Sequence, residues 1–178
     1  MSQTTTLACR CGKFHIELSG EPFIAAECHC NSCREAARRM AAVDPAMPPV
    51  SENGGTPYIL YRKDRISFPD GTGLLSETRL SDDAPTRRVV TTCCNTPVFL
   101  EFQAGHWISL YATLWPENTR PALDIRTVTS DLPDGVTLDD TIPSGKGATF
   151  GFYAKLLWAW IAMGFKVPKI DIARKASL

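Results

Sequence analysis

Glu27-Cys28-His29-Cys30-Asn31-Ser32-Cys33 sets three thiols within six residues. In an extended segment residues two apart project to the same side. Cys28 and Cys30 therefore face one point, and a turn through Asn31 and Ser32 brings Cys33 round to it. The spacing predicts a metal site. Three protein ligands are one short of a tetrahedron, so zinc held this way keeps a position for water or substrate. Asn31-Ser32 is a helix start, and the segment Glu35 to Ala41 carries Ala36, Ala37, Met40 and Ala41 on one side at helical spacing. Cys33 then falls in the first turn, where the helix dipole and neighbouring Arg34 favour its thiolate.

The chain has 178 residues, 44% of them hydrophobic and 21% charged, the profile of one globular domain with a real core. Nineteen basic and nineteen acidic residues balance, leaving no global field to attract phosphate, so no nucleic-acid partner is expected. Met1 to Thr6 has neither the charged start nor the apolar run of a signal peptide. The expected location is a reducing cytoplasm, where cysteines stay as thiols unless they bind metal or do redox chemistry. The seven cysteines fall into three groups: Cys9 with Cys11, the central three, and Cys93 with Cys94.

Cys9-Arg10-Cys11-Gly12 reads as half of a zinc knuckle, with Gly12 free to turn the backbone. Strands are expected at residues 14–18, 23–27, 58–61, 65–68, 75–80, 87–92, 98–102, 106–114 and 123–128, which makes the fold mainly β. Residues 43–57 hold too many prolines and glycines for a regular element and form a long loop, a candidate cover for the open side of the metal site. Cys93-Cys94-Asn95-Thr96-Pro97 is the second half of the knuckle, with asparagine where a left-handed residue is needed. Zinc held between residues 9–11 and 93–94 would clip together distant parts of the chain, a structural role. Ser144-Gly145-Lys146-Gly147 fails as a phosphate loop because Gly147 stands where serine or threonine is required.

Residues 150–165 are the most apolar stretch, too short to span a membrane and interrupted by Lys155. They read as a core helix or a homodimer helix. Because Trp158 and Trp160 lie within it and Lys166, Lys169, Arg174 and Lys175 follow, an interfacial membrane helix is the alternative. The expected organisation is one zinc-binding domain over residues 1–148, with residues 149–178 as a helix and basic tail packed on it.

The order Cys9-x-Cys11-Gly12, then Cys28-His-Cys30-x-x-Cys33, then Cys94-Asn95-Thr96-Pro97 resembles the glutathione-dependent formaldehyde-activating enzyme family, which includes centromere protein V. The resemblance covers residues 7 to about 115. It implies a β-tent fold of antiparallel sheets with two zinc ions, one structural and one on the substrate side. By motif, Cys9, Cys11 and Cys94 match structural ligands, and Cys28, Cys30 and Cys33 match the ligands and catalytic centre of the substrate-side zinc. The family's last motif is Cys-x-x-Cys-Gly, and aligning Cys94 on its second cysteine leaves Thr91 at the first. Cys93 then supplies the missing thiolate through a local distortion, or faces the other zinc, or the structural site is lost. The Cys-Cys-Asn-Thr-Pro signature is similar to a divergent branch of the family.

The activity implied by the resemblance is that of a carbon-sulfur lyase of the S-(hydroxymethyl)glutathione synthase kind, adding a thiol such as glutathione to formaldehyde or another small aldehyde. A thiol carrying carboxylates calls for cations, and Arg34, Arg38, Arg39, Arg87 and Arg88 are the candidates by proximity to the motifs. His29 is either a proton shuttle or, by alternation, a scaffold residue aimed away from the metal. Two other readings compete with the enzyme: a non-catalytic zinc module binding a partner through residues 150–165, and a redox protein using the Cys93-Cys94 pair.

Overall fold

The computed structural model describes residues 3–43 and 49–176, and among them the chain is mostly β. Eleven strands are present among the described residues: β1 (Thr4–Ala8), β2 (His15–Ser19), β3 (Ile24–Cys28), β4 (Thr56–Arg62), β5 (Ile66–Ser67), β6 (Leu75–Thr78), β7 (Thr86–Thr91), β8 (Pro97–Phe102), β9 (Trp107–Tyr111), β10 (Ile125–Thr127) and β11 (Arg174–Lys175). Two helices join them, α1 (Asn31–Val43) and α2 (Gly145–Ala162).

The strands form a three-stranded sheet, β1-β2-β5, and an eight-stranded sheet in the order β10-β3-β4-β9-β8-β7-β6-β11. Most pairings are antiparallel, as expected, but both outermost pairings of the large sheet are parallel: β10 with β3, and β11 with β6. Each edge strand returns to the sheet through a long excursion instead of a hairpin, which is how parallel neighbours are reached.

Alternation along the strands gives the large sheet two buried faces. On one face Ala25, Ile59, Leu110, Phe99, Val89 and Leu75 pack against Leu7, Phe14, Ile16 and Leu18 around the small sheet. On the other face Ile24, Ala26, Tyr58, Leu60, Tyr111, Leu100 and Val90 pack with Cys33 and Met40 of α1, and Phe152 of α2 lies against them. The result is three layers: small sheet, large sheet, helices.

Several sequence expectations shift. β1 lies ahead of the first expected strand, with Leu7 as its one buried member. The helix after the thiol motif starts at Asn31 and holds Cys33 in its first turn, as expected; Cys33, Ala36, Ala37 and Met40 are its buried residues, whereas Ala41 is only half-buried. The C-terminal helix begins at Gly145 and buries one face only. Of the loop expected at residues 43–57, positions 44–48 lie outside the described residues. Asn53 donates from Nδ2 to Glu27 Oε2 at 3.0 Å, so this part of the loop packs against Glu27.

Candidate metal centres

The turn that follows β7 decides the fate of Cys93. β7 ends at Thr91, so Cys93 and Cys94 lie in a turn and not in a strand, and the alternation rule no longer separates their side chains. Thr91 organises that turn. Its N–H donates to Thr96 O at 2.9 Å, its hydroxyl accepts from Thr96 N at 3.1 Å, and its carbonyl accepts from Asn95 N at 3.0 Å. Asn95 takes φ 53°, the left-handed conformation that asparagine tolerates. Opposite it, Gly12 has φ 72° and donates to Cys9 O at 2.9 Å, closing the turn that aims Cys9 and Cys11. Arg10 joins the two halves: its N–H donates to Thr96 Oγ1 at 3.1 Å and its guanidinium to Cys94 O at 3.3 Å.

The sulfurs of Cys9, Cys11, Cys93 and Cys94 all lie within 4.8 Å of one another. Separations of 3.6 Å for Cys9 to Cys11, 3.7 Å for Cys9 to Cys93, 3.4 Å for Cys11 to Cys93 and 3.8 Å for Cys93 to Cys94 lie at or slightly below the edge of a zinc–thiolate tetrahedron. Metal–sulfur bonds of about 2.3 Å give an edge of about 3.8 Å. Four thiols gathered within 4.8 Å of one another could hold a tetrahedral metal ion. Burial pushes the Cys94 thiol up, but the Thr91 and Thr96 hydroxyls beside it bring it down to about 5. Burial and the neighbouring Cys11 thiol raise Cys93 to about 12.

The second cluster, Cys28, Cys30 and Cys33, has its sulfurs within 4.8 Å of one another on the helix-bearing face of the large sheet. Cys28 ends β3, and Cys30 stands immediately before α1. The Cys30 carbonyl accepts from Cys33 N at 3.1 Å and Arg34 N at 3.2 Å, while its sulfur accepts from Cys33 N at 3.3 Å. Cys30 thus caps the helix with its own thiol, a role serine or aspartate usually fills. The expected helix-end stabilisation falls chiefly on Cys30. Hydrogen bonds from Cys28 and Cys33, then the Cys33 amide and the charge of Arg88, hold Cys30 far below the usual thiol range. Hydrogen bonds with Cys28 and Cys30, and then burial, push Cys33 up. Arg34 serves neither thiol: its guanidinium is tied to His29 O, Asn31 Oδ1 and Asp131 O.

The other arginines divide clearly. Arg38 and Arg39 pair with Glu35, and Arg87 bridges Glu77 and Glu101. Arg88 is buried; Nη2 donates to Ser32 O at 3.1 Å, while Nε and Nη1 have no hydrogen-bond partner among the described residues. Its charge helps to lower Cys30 and partly offsets the rise at Tyr58. Tyr58, which the sequence reading passed over, stands with its hydroxyl 3.6 Å from Cys33 Sγ and its ring 5.0 Å from Tyr111. Burial first, then Tyr111 and Cys33, push the Tyr58 hydroxyl well above the usual phenol range, so it stays protonated. No sequence signal marks Tyr58, because its partners are brought by strand register.

His29 is fully buried and meets Glu27 at Nε2···Oε2 3.1 Å, away from the thiols. Glu27 also accepts from Arg126 Nε at 3.1 Å, and Arg126 reaches Asp139 Oδ2 at 2.7 Å. This network ties β3 to β10 and occupies His29 Nε2, while His29 Nδ1 is buried with no hydrogen-bond partner among the described residues.

A mostly β fold that gathers seven thiols into one cluster of four and one of three defines a protein able to hold metal on cysteine at two separate places. The family model described as glutathione-dependent formaldehyde-activating enzyme matches residues 4–127, and the chain belongs to that family. No curated protein matches it. One similar solved structure is the crystal structure of a Rhodobacter sphaeroides protein, 16% identical, with 66% of this chain and 92% of that chain covered and a TM-score of 0.45. Among the described residues no helix is long and apolar enough to cross a membrane.

Proposed function

We propose that the protein is a zinc-dependent carbon-sulfur lyase that joins a small aldehyde, formaldehyde in the first instance, to a thiol such as glutathione in a reducing cytoplasm. The observation that carries this reading is the difference between the two clusters: four thiols on one side of the large sheet, and three at the start of α1 with a buried tyrosine and a buried arginine beside them. In this reading Cys9, Cys11, Cys93 and Cys94 hold a structural ion, and Cys28, Cys30 and Cys33 hold the substrate-side one. Zinc on three thiolates would supply a fourth position and the Lewis acidity that keeps a bound thiol deprotonated.

The chain's own residues then have distinct tasks. Cys30 is held anionic by its neighbours and the start of the helix. Tyr58 keeps its proton and can donate to Cys33 Sγ, fixing that ligand's orientation. Arg88 places an unspent guanidinium edge beside an electron-rich site, where it offsets accumulated negative charge or accepts a substrate carboxylate. In the reaction the thiol sulfur bonds to the carbonyl carbon, the carbon–oxygen π bond becomes a hydroxyl, and the thiol proton ends on that oxygen; nothing is oxidised or reduced.

The test is the metal content of wild type and Cys30→Ser, as purified and after mild chelation, with aldehyde consumption measured with and without glutathione. The expected result is two zinc equivalents falling to one, a folded variant holding one, and consumption that needs both the thiol and Cys30. A single non-exchangeable metal, or a Cys30→Ser protein that does not fold, would make the central motif structural and the chain a non-catalytic zinc module.

A further inference from the structure

Helix α2 lies beyond the stretch that matches the family and is apolar on two faces. Leu156, Ala159 and Met163 are buried. The link to the sheet is specific: His106 Nε2 donates to Leu156 O at 2.9 Å, and its ring stacks on Trp160 with centroids 5.7 Å apart. Phe150, Tyr153, Leu157, Trp158 and Ile161 recur at helical spacing on the opposite face and stand in solvent. Phe150 is 77% exposed and Trp158 71%. A helix apolar all round is normally enclosed, and a contiguous exposed apolar patch marks an interaction surface.

The charge around the patch identifies the partner. Residues 145–178 carry six basic side chains and a single acid, Asp171, whereas the chain as a whole balances nineteen basic against nineteen acidic residues. Lys166 and Lys169, immediately after the helix, are exposed. Lys155, half exposed within it, has Asp124 only at 4.0 Å. Tryptophan, tyrosine and phenylalanine beside lysines are the composition of a surface that enters the headgroup layer of a bilayer. Two copies paired through α2 would bring their basic segments together, whereas an anionic surface would neutralise them. We propose that the outer face of α2 docks the protein on anionic lipid, with the helix, about 27 Å long, lying in the plane of the membrane. The proposal does not depend on the reaction at the thiols.

The full-length, metal-loaded protein is sedimented with vesicles of phosphatidylcholine alone and of phosphatidylcholine mixed equally with phosphatidylglycerol. The expected result is capture by the anionic vesicles only, reversed by raised salt. Phe150→Ser with Trp158→Ser, at exposed positions and checked for unchanged circular dichroism and metal content, abolishes capture. Lys166→Gln with Lys169→Gln weakens it by about thirtyfold, at roughly tenfold or less for each lysine near the surface. Capture that both variants leave unchanged overturns the proposal. So does an absence of capture, and if sedimentation equilibrium then shows a dimer that Trp158→Ser dissociates, the face belongs to a second copy.

Discussion

The Tyr58 hydroxyl stands 3.6 Å from the sulfur of Cys33, both side chains are buried, and the cross-strand partner Tyr111 closes over the tyrosine ring. Among the described residues the Tyr58 hydroxyl is the one placed to orient that thiol. Tyr58→Phe keeps the ring and removes only that donor, so the fold is expected to persist. Affinity of the three-thiol site for zinc, or thiol-dependent aldehyde turnover, should fall by roughly 10- to 100-fold. Competition with a chelator of known affinity measures the first, and aldehyde consumption the second. An unchanged protein by both measures would leave Tyr58 as core packing.

Gly55 is held by close approach to the network behind Cys28. A Cβ there would sit 2.5 Å from Glu27 Cγ and 2.7 Å from His29 Cε1, and both of those side chains are fixed in buried contacts. Gly55→Ala is therefore expected to destabilise the protein by about 1–3 kcal/mol, as overpacking does. Urea denaturation reads this directly.

The turn after β7 needs a left-handed residue at position 95. Asn95→Ala should cost roughly 1–2 kcal/mol and loosen metal at the four-thiol cluster. Asn95→Gly should match or exceed wild type. Melting temperature and chelator resistance of the tightly held ion distinguish the two. Equal behaviour of alanine and glycine would show that the turn tolerates either backbone.

His106 makes the seating of α2 sensitive to acid. Burial first, with Lys63 and Arg62 adding to it and the Leu156 carbonyl opposing it, lowers its pKa below the usual 6.5. The folded protein then binds fewer protons than the unfolded chain between the lowered value and 6.5, so stability rises with pH there. The contribution is complete above pH 6.5 and is lost as the pH falls through the folded-state value. Melting at about pH 7.5 and about pH 5.5 should differ more for wild type than for His106→Gln, whose amide can still donate to Leu156 O but does not titrate. Equal differences would assign the acid sensitivity elsewhere.

Local sequence determined what depends on neighbours along the chain. Cys28, Cys30 and Cys33 converge because a strand end and a helix start fix their directions. Gly12 and Asn95 mark the two thiol turns because few residues adopt positive φ cheaply. Alternation likewise aimed His29 away from the thiols. Tertiary structure decided what depends on which strands meet. Cys93 joins Cys9 and Cys11 because β7 stops at Thr91, which turns the chain before alternation can separate Cys93 from Cys94. The parallel edge strands, the pairing of Tyr58 with Tyr111, the burial of Arg88 beside Cys30 and the one-sided seating of α2 arise from contacts between segments far apart in sequence. Those contacts leave no local periodicity, since side-chain direction follows from the backbone of each segment but partnership follows only from the register in which the segments pack.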